Sequence, residues 1–220
     1  MTVSLDSDTS LLPGYYRGDL GELRTLPWPS DPVKKRLLME NSLGPRIIDW
    51  AEWRTDEPGL INDEGERWRF TDGQARFLIL WYAFDEHGRF IYRRGAKRGS
   101  KGTGKDPMGA AICNIEFMGP SQIYFDKALG KYRGKRHEMP LVQIASNSEQ
   151  QSMDMLRVAN SQWGREATAY YGLDKGLKST TVKDSAARME VLTASERSAE
   201  GDPATFIALN ETHQDRKSVV

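Results

Sequence analysis

The segment Gly99-Ser100-Lys101-Gly102-Thr103-Gly104-Lys105 constrains this chain more than any other. It satisfies Gly-x4-Gly-Lys, a spacing in which glycines let backbone N–H groups turn inward around phosphates. A lysine at the mouth of a helix then meets the β and γ phosphates, and the helix N-terminus adds its own affinity for anions. Pro107 and Ala110-Ala111 suit a helix start, because proline is tolerated in a first turn whose N–H groups have no intrahelical acceptor. The expected setting is an α/β fold. Two features depart from the pattern. Asp106 stands where a Ser or Thr usually offers a hydroxyl to Mg2+, and Arg93, Arg94, Lys97 and Arg98 make the preceding segment more charged than a buried central strand. A basic, glycine-rich surface loop from Gly95 to Gly104 accounts for the same residues.

With 220 residues, 38% of them hydrophobic, the chain can bury one sizeable core and carry a small appendage. Lys+Arg and Asp+Glu both number 31, so the net charge is zero and the chain lacks the basic excess of a dedicated nucleic-acid-binding module. Contact with a nucleic acid then requires a local patch or assembly into a ring. The single cysteine, Cys113, lies in an apolar stretch, which excludes an internal disulfide framework and suits a core position in a reducing compartment. No apolar run approaches the length of a membrane span, and the acidic N-terminus does not resemble a signal peptide. These features describe a soluble, intracellular protein.

Residues 1–30, rich in Ser, Asp, Gly and Pro with Tyr15, Tyr16 and Trp28 interspersed, read as an extended arm that docks on something. Residues 31–220 read as one domain. Helical spacing starts near Asp31 with Leu37, Leu38 and Leu43, and resumes after Gly44-Pro45 with Ile47, Ile48, Trp50, Ala51 and Trp53. Thr71-Asp72 supplies an N-cap for a third helix carrying Phe77, Leu78, Leu80, Trp81 and Phe84. Beyond Gly88, short apolar runs alternate with helices, the pattern of a sheet with crossover connections. The expected strands are 90–92, 141–145, 189–192 and 206–209, with helices over 105–117 and 148–163.

Phe206-Ile207-Ala208-Leu209 ends in Asn210-Glu211. In phosphate-loop ATPases with a catalytic glutamate, such a strand carries an acidic residue toward Mg2+ and a following Glu that orients the attacking water. An exposed Glu after an ordinary strand is the plainer alternative. Gln74, about thirty residues before Lys105, offers the donor and acceptor that pair with the edge of adenine; a solvated helix glutamine would look the same. His87, His137 and His213 lack ligand spacing, so zinc is not expected. The basic stretch Lys131, Arg133, Lys135, Arg136 is either a solvated loop or a DNA contact.

In this order and with their flanks, these elements resemble the large terminase subunits of tailed phages, particularly those infecting actinobacteria. The residues that carry the resemblance are 71–77 (Thr-Asp-Gly-Gln-Ala-Arg-Phe), 88–95 (Gly-Arg-Phe-Ile-Tyr-Arg-Arg-Gly), 101–107 (Lys-Gly-Thr-Gly-Lys-Asp-Pro), 142–150 (Val-Gln-Ile-Ala-Ser-Asn-Ser-Glu-Gln), 198–206 (Ser-Ala-Glu-Gly-Asp-Pro-Ala-Thr-Phe) and 210–213 (Asn-Glu-Thr-His). The resemblance implies a P-loop NTPase of the additional-strand, catalytic-glutamate type, with a mostly parallel central sheet, flanking helices and an N-terminal helical or extended region. It implies an ATP- and Mg2+-dependent motor moving double-stranded DNA into a procapsid in the host cytoplasm. The implied partners are the portal protein, the small terminase subunit and a homo-oligomeric ring, with a monomer in isolation.

On these positions Gln74 reads adenine, Gly99, Ser100, Lys101, Gly102, Thr103, Gly104 and Lys105 hold phosphate, Asp106 and Asn210 face Mg2+, and Glu211 activates water. The polar segment from Ser146 to Gln150 is placed near the nucleotide. Asn210 stands where the family usually has Asp, and Lys101 where many members have Arg. Glu200 occupies the place of a common arginine, which leaves Arg197 as the candidate trans-acting finger. The family's nuclease domain is expected to be missing from this chain, along with nuclease activity. A helicase-like remodelling ATPase and a nucleotide-binding structural module with little turnover are the alternatives.

Overall fold

In the structure, a computed structural model describing residues 15–17, 23–25, 28–95, 104–192 and 203–210, three of the six described helices start at a polar side-chain cap. Two compact units divide the chain. The first comprises residues 1–48, 70–96 and 122–135, the second residues 49–69, 97–121 and 136–220.

Within the first unit, β1 (Tyr15–Arg17) and β2 (Leu23–Thr25) pair antiparallel inside the segment expected to be an extended arm. Trp28 is held there by the Arg76 guanidinium, 5.7 Å from its ring centroid. The Asp31 carboxylate caps α1 (Pro32–Glu40) by accepting from the Lys34 amide at 2.8 Å, and Pro32 occupies the first turn. In α2 (Gly44–Ala51), residues 44–48 belong to this unit and 49–51 to the other. The start of α3 (Asp72–Trp81) is a reciprocal capping box: Thr71 Oγ1 accepts from the Gln74 amide, and Gln74 Oε1 accepts from the Thr71 amide at 3.0 Å.

Leu38, Leu43, Ile47, Leu78, Ile79 and Tyr82 form this unit's core. The Ser42 hydroxyl donates to the Ile79 carbonyl at 2.6 Å, and a Cβ at Gly44 would meet the Ile79 backbone nitrogen at 2.8 Å, so α2 and α3 approach as closely as glycine permits. The expected strand over 90–92 does not form. Phe90 makes one isolated bridge to Phe84, because the chain turns tightly at Gly88 (φ +70°) and the Asp85 carboxylate accepts from the His87 and Arg89 amides. α3 itself ends at Trp81 with Tyr82 as its C-cap, short of Phe84. A hairpin of β3 (Gln122–Asp126) and β4 (Lys131–Lys135) completes the unit, where the sequence reading expected a loop.

The second unit is built on a five-stranded sheet. Its strands are β5 (Leu141–Ser146), β6 (Leu173–Lys175), β7 (Ser179–Val182), β8 (Arg188–Val191) and β9 (Phe206–Asn210), in the order β6-β7-β8-β5-β9. β5 runs parallel to both β8 and β9, whereas β6–β7 and β7–β8 are antiparallel. The sheet is therefore mixed, not mostly parallel as expected, because short turns such as Lys175–Ser179 return the chain without a crossover. β5 is an apolar run buried on both faces, as a central parallel strand should be.

Two helices cover the sheet. α4 (Lys105–Met118) buries Met108, Ala110, Ala111, Cys113, Ile115, Phe117 and Met118 and packs against β5, β8 and β9. Its partner is α5 (Glu149–Ser161), capped by Ser148. The shorter α6 (Arg165–Tyr171) ends at Gly172, whose φ of +63° is the left-handed conformation of a helix C-terminus.

Candidate functional site

The parallel core of the sheet aligns the C-terminal ends of β5 and β9, where Ser146 lies in register with Asn210. In open α/β sheets, ligands bind outside these carboxyl ends. The residues that follow β5 are the polar run Asn147-Ser148. Ser148 caps α5, accepting from the Gln151 amide at 3.3 Å, so part of the expected polar block serves the helix. Ile207 and Leu209 are 52% and 67% exposed, while Phe206, Ala208 and Asn210 are half-buried, so β9 alternates as a strand with one face open.

Gly104 directly precedes α4 with φ +69° and ψ +25°, a left-handed conformation that residues with a Cβ adopt only at a cost. It turns the chain so that Lys105 starts a 14-residue helix with no side-chain cap at its N-terminus. The amides of a first turn have no intrahelical acceptor, and Pro107 has no N–H, so Lys105 and Asp106 supply the donors at this end. Lys105 Nζ lies 3.7 Å from Asp106 Oδ1. The Asp106 side chain is about half exposed as a whole, yet its Oδ1 is enclosed and accepts no hydrogen bond. A helix-capping role through that oxygen is not made.

Inside the second unit, two residues that the sequence reading passed over anchor this helix. Asn114, fully buried on α4, donates through Nδ2 to the Ala159 carbonyl at 2.9 Å and to Gln162 Oε1 at 3.0 Å. Gln162, 3% exposed, donates in turn to the Pro107 carbonyl at 2.8 Å. The available signal was Asn114 itself, a polar residue within Ala-Ala-Ile-Cys-Asn-Ile, since buried amides need partners. Cys113 beside it is also fully buried; burial, aided by Glu116, pushes its thiol up to about 12, so it is an inert core residue.

Of the residues predicted from sequence, the structure places Gly104, Lys105, Asp106 and Asn210 in the second unit. Gln74 belongs to the first, half-buried, with its carboxamide oxygen engaged in the capping box of α3. Gly99, Ser100, Lys101, Gly102, Thr103, Arg197 and Glu211 lie outside the described residues. A cavity of about 690 Å³ lies elsewhere in the second unit, lined by Trp163, Thr168, Leu173 and Lys175 among others, and includes none of the predicted residues. Among the described residues there is no cluster of three or more His, Cys, Asp or Glu side chains able to hold a metal, and no helix is long and apolar enough to cross a membrane.

The mixed five-stranded sheet with flanking helices has the fold of part of a terminase large subunit. The crystal structure of the HK97 bacteriophage large terminase superposes with a TM-score of 0.52 at 14% identity, covering 76% of this chain and 31% of that one. In sequence, the chain is related to the gene 13 protein of Mycobacterium phage L5, at 35% identity over 156 residues, and to that of Mycobacterium phage D29, at 34% over 157 residues. Each alignment covers 71% of this chain and 26% of the relative, so the chain spans about a quarter of the length of these proteins. No family model matches.

Proposed function

We propose that this chain is the ATP-hydrolysing motor region of a phage terminase large subunit, driving double-stranded viral DNA into a procapsid. The observation that carries the reading is Gly104 in the left-handed conformation immediately before Lys105, at the N-terminus of a long helix packed on the parallel strands β5 and β9. The relatedness to mycobacteriophage proteins and the terminase fold support it. In this reading the loop Gly99–Lys105 holds the phosphates. Lys105 supplies positive charge to the β and γ positions.

Mg2+ fits the chemistry of the residues present. Asp106 Oδ1 is a hard oxygen that accepts no hydrogen bond, and the Asn210 amide oxygen ends the neighbouring strand. Bound Mg2+ would neutralise phosphate charge there. Glu211 orients water, and Arg197 of a neighbouring subunit is the finger. The portal protein, the small terminase subunit and a homo-oligomeric ring are the partners this reading assigns.

The test is Glu211→Gln. Because the residue acts on water, Mg2+-ATP binding should survive while turnover falls about 10²- to 10⁴-fold. Undiminished turnover would remove Glu211 from the mechanism. The presence of Asn210, an amide where a carboxylate usually assists the metal, favours one second reading, a nucleotide-binding module with little turnover. Wild-type protein that binds ATP tightly but does not hydrolyse it, even at concentrations that assemble a ring, would establish that alternative.

A further inference from the structure

We infer that the β3–β4 hairpin is a backbone-reading ribbon for double-stranded DNA, with Lys131, Arg133 and Lys135 as its phosphate contacts. The inference rests on the motor reading above for the identity of the polyanion. It adds a surface and its residues.

Antiparallel pairing puts alternate residues on opposite faces. Along β4, Lys131, Arg133 and Lys135 are exposed, while Tyr132 and Gly134 between them are half-buried. The register sets Lys131 opposite Asp126, Arg133 opposite Tyr124 and Lys135 opposite Gln122. One face therefore presents three cations beside a phenol, an amide and the Asp126 carboxylate; all but the carboxylate are side chains of the kinds that contact phosphate oxygens. Two residues of strand advance about 6.8 Å, a step comparable with that between successive phosphates along one strand of a duplex.

The opposite face explains why the ribbon is rigid. Tyr132 packs edge-on against Phe125 and Phe84, at centroid distances of 5.1 and 5.9 Å, and its ring fills the space beside Gly88 that a Cβ would need. Asp126 closes the turn by accepting from the Ala128 and Leu129 amides at 3.0 and 3.1 Å, and Gly130 (φ +62°) completes it. Arg133, whose side chain is the exposed partner, lies 3.6 Å from the largely covered Asp126 carboxylate, and a phosphate has to compete with that carboxylate for it. In a chain whose charges balance at 31 each, three cations against one carboxylate on a single face leave a local basic excess, the kind of patch that draws a duplex. Arg136, next in sequence, is not part of it. In the second unit it donates to Glu57 and to the Met118 carbonyl, and its guanidinium lies over Tyr171.

The competing explanation is that lysines on this two-stranded sheet only discourage edge-to-edge association. The experiment is fluorescence anisotropy of a labelled duplex with the whole chain, wild type against Lys131→Ala/Arg133→Ala/Lys135→Ala, between about 50 and 200 mM salt. Mg2+-ATP affinity and circular dichroism are measured on the same samples. The expected result is a loss of duplex affinity with a salt slope smaller by about 0.9 per lost contact, so up to about 2.7, at unchanged ATP affinity. The arginine variant Lys131→Arg/Lys135→Arg should keep the slope. An unchanged slope in the triple alanine variant overturns the inference, as does a wild-type chain with no salt-dependent duplex binding. If ATP binding still depends on Lys105 in those cases, only the ribbon assignment fails. If it does not, the motor reading fails with it.

Discussion

Asn114 on α4 and Gln162, just beyond the end of α5, share a buried hydrogen bond of 3.0 Å, and through it the carbonyl of Pro107 is tied to the opposite helix. Pro107 lies two residues after Lys105, so the pair fixes the orientation of the helix turn from which that lysine projects.

Removing this tie should affect both stability and ligand affinity. Gln162→Ala leaves the buried Asn114 amide and the Pro107 carbonyl without their side-chain partner, at a cost of about 1–3 kcal/mol measured by denaturant unfolding. Mg2+-ATP affinity should also fall under conditions where the variant remains folded. A stability loss of that size with unaltered affinity would restrict the pair to a structural role.

Gln74 can be separated from its capping duty by a single change. Glutamate serves at the third position of a capping box as well as glutamine does, so Gln74→Glu keeps the bond to the Thr71 amide but loses the amide donor that adenine pairing needs. The expected outcome is an unchanged unfolding midpoint with a raised KM for ATP and reduced preference for ATP over GTP. Retained preference would leave Gln74 as a cap alone.

In the proposed motor reading, Asp106 and Asn210 exchange the usual chemistry of loop and strand, with the carboxylate on the helix start and the amide on β9. If Asp106 has taken over the metal-anchoring charge, Asp106→Ser weakens Mg2+-ATP binding more than Asn210→Asp alters it. Adding the second change to the first should restore affinity, with a coupling of about 0.5–3 kcal/mol. Additive effects in that double-mutant cycle would show that the two positions do not share a metal.

The parts legible in sequence were those governed by local rules. Short apolar runs identified β5, β8 and β9, the Thr71 cap marked the start of α3, and helical spacing placed the starts of α1 and α5 near Asp31 and Ser148, each to within a residue or two. The β3–β4 hairpin was not legible because Lys131-Tyr-Arg-Gly-Lys135 has the composition of a loop; its strand character comes from Tyr132 finding Phe84 and Gly88, contacts distant in sequence. Phe90–Tyr92 failed in the opposite direction, since across the tight turn it gains one isolated bridge, Phe90 to Phe84, and no strand ladder. The α6–β6–β7 region carries little periodicity in its short elements, so its antiparallel pairing could not be anticipated. At the candidate site, the Gly104-Lys105 junction was legible from spacing, whereas Asn114 and Gln162 act 48 residues apart in sequence.

The most direct test of the central claim is isothermal titration of Mg2+-ATP into Lys105→Ala, paired with steady-state turnover on the same sample. Lys105 is surface-accessible at the start of α4, with a side chain 29% exposed, so the fold should persist and the unfolding midpoint should stay near that of the wild type. The account predicts that ATP binding or turnover is abolished, because the charge at the β and γ phosphates is gone. Wild-type affinity together with wild-type turnover in this variant would contradict it.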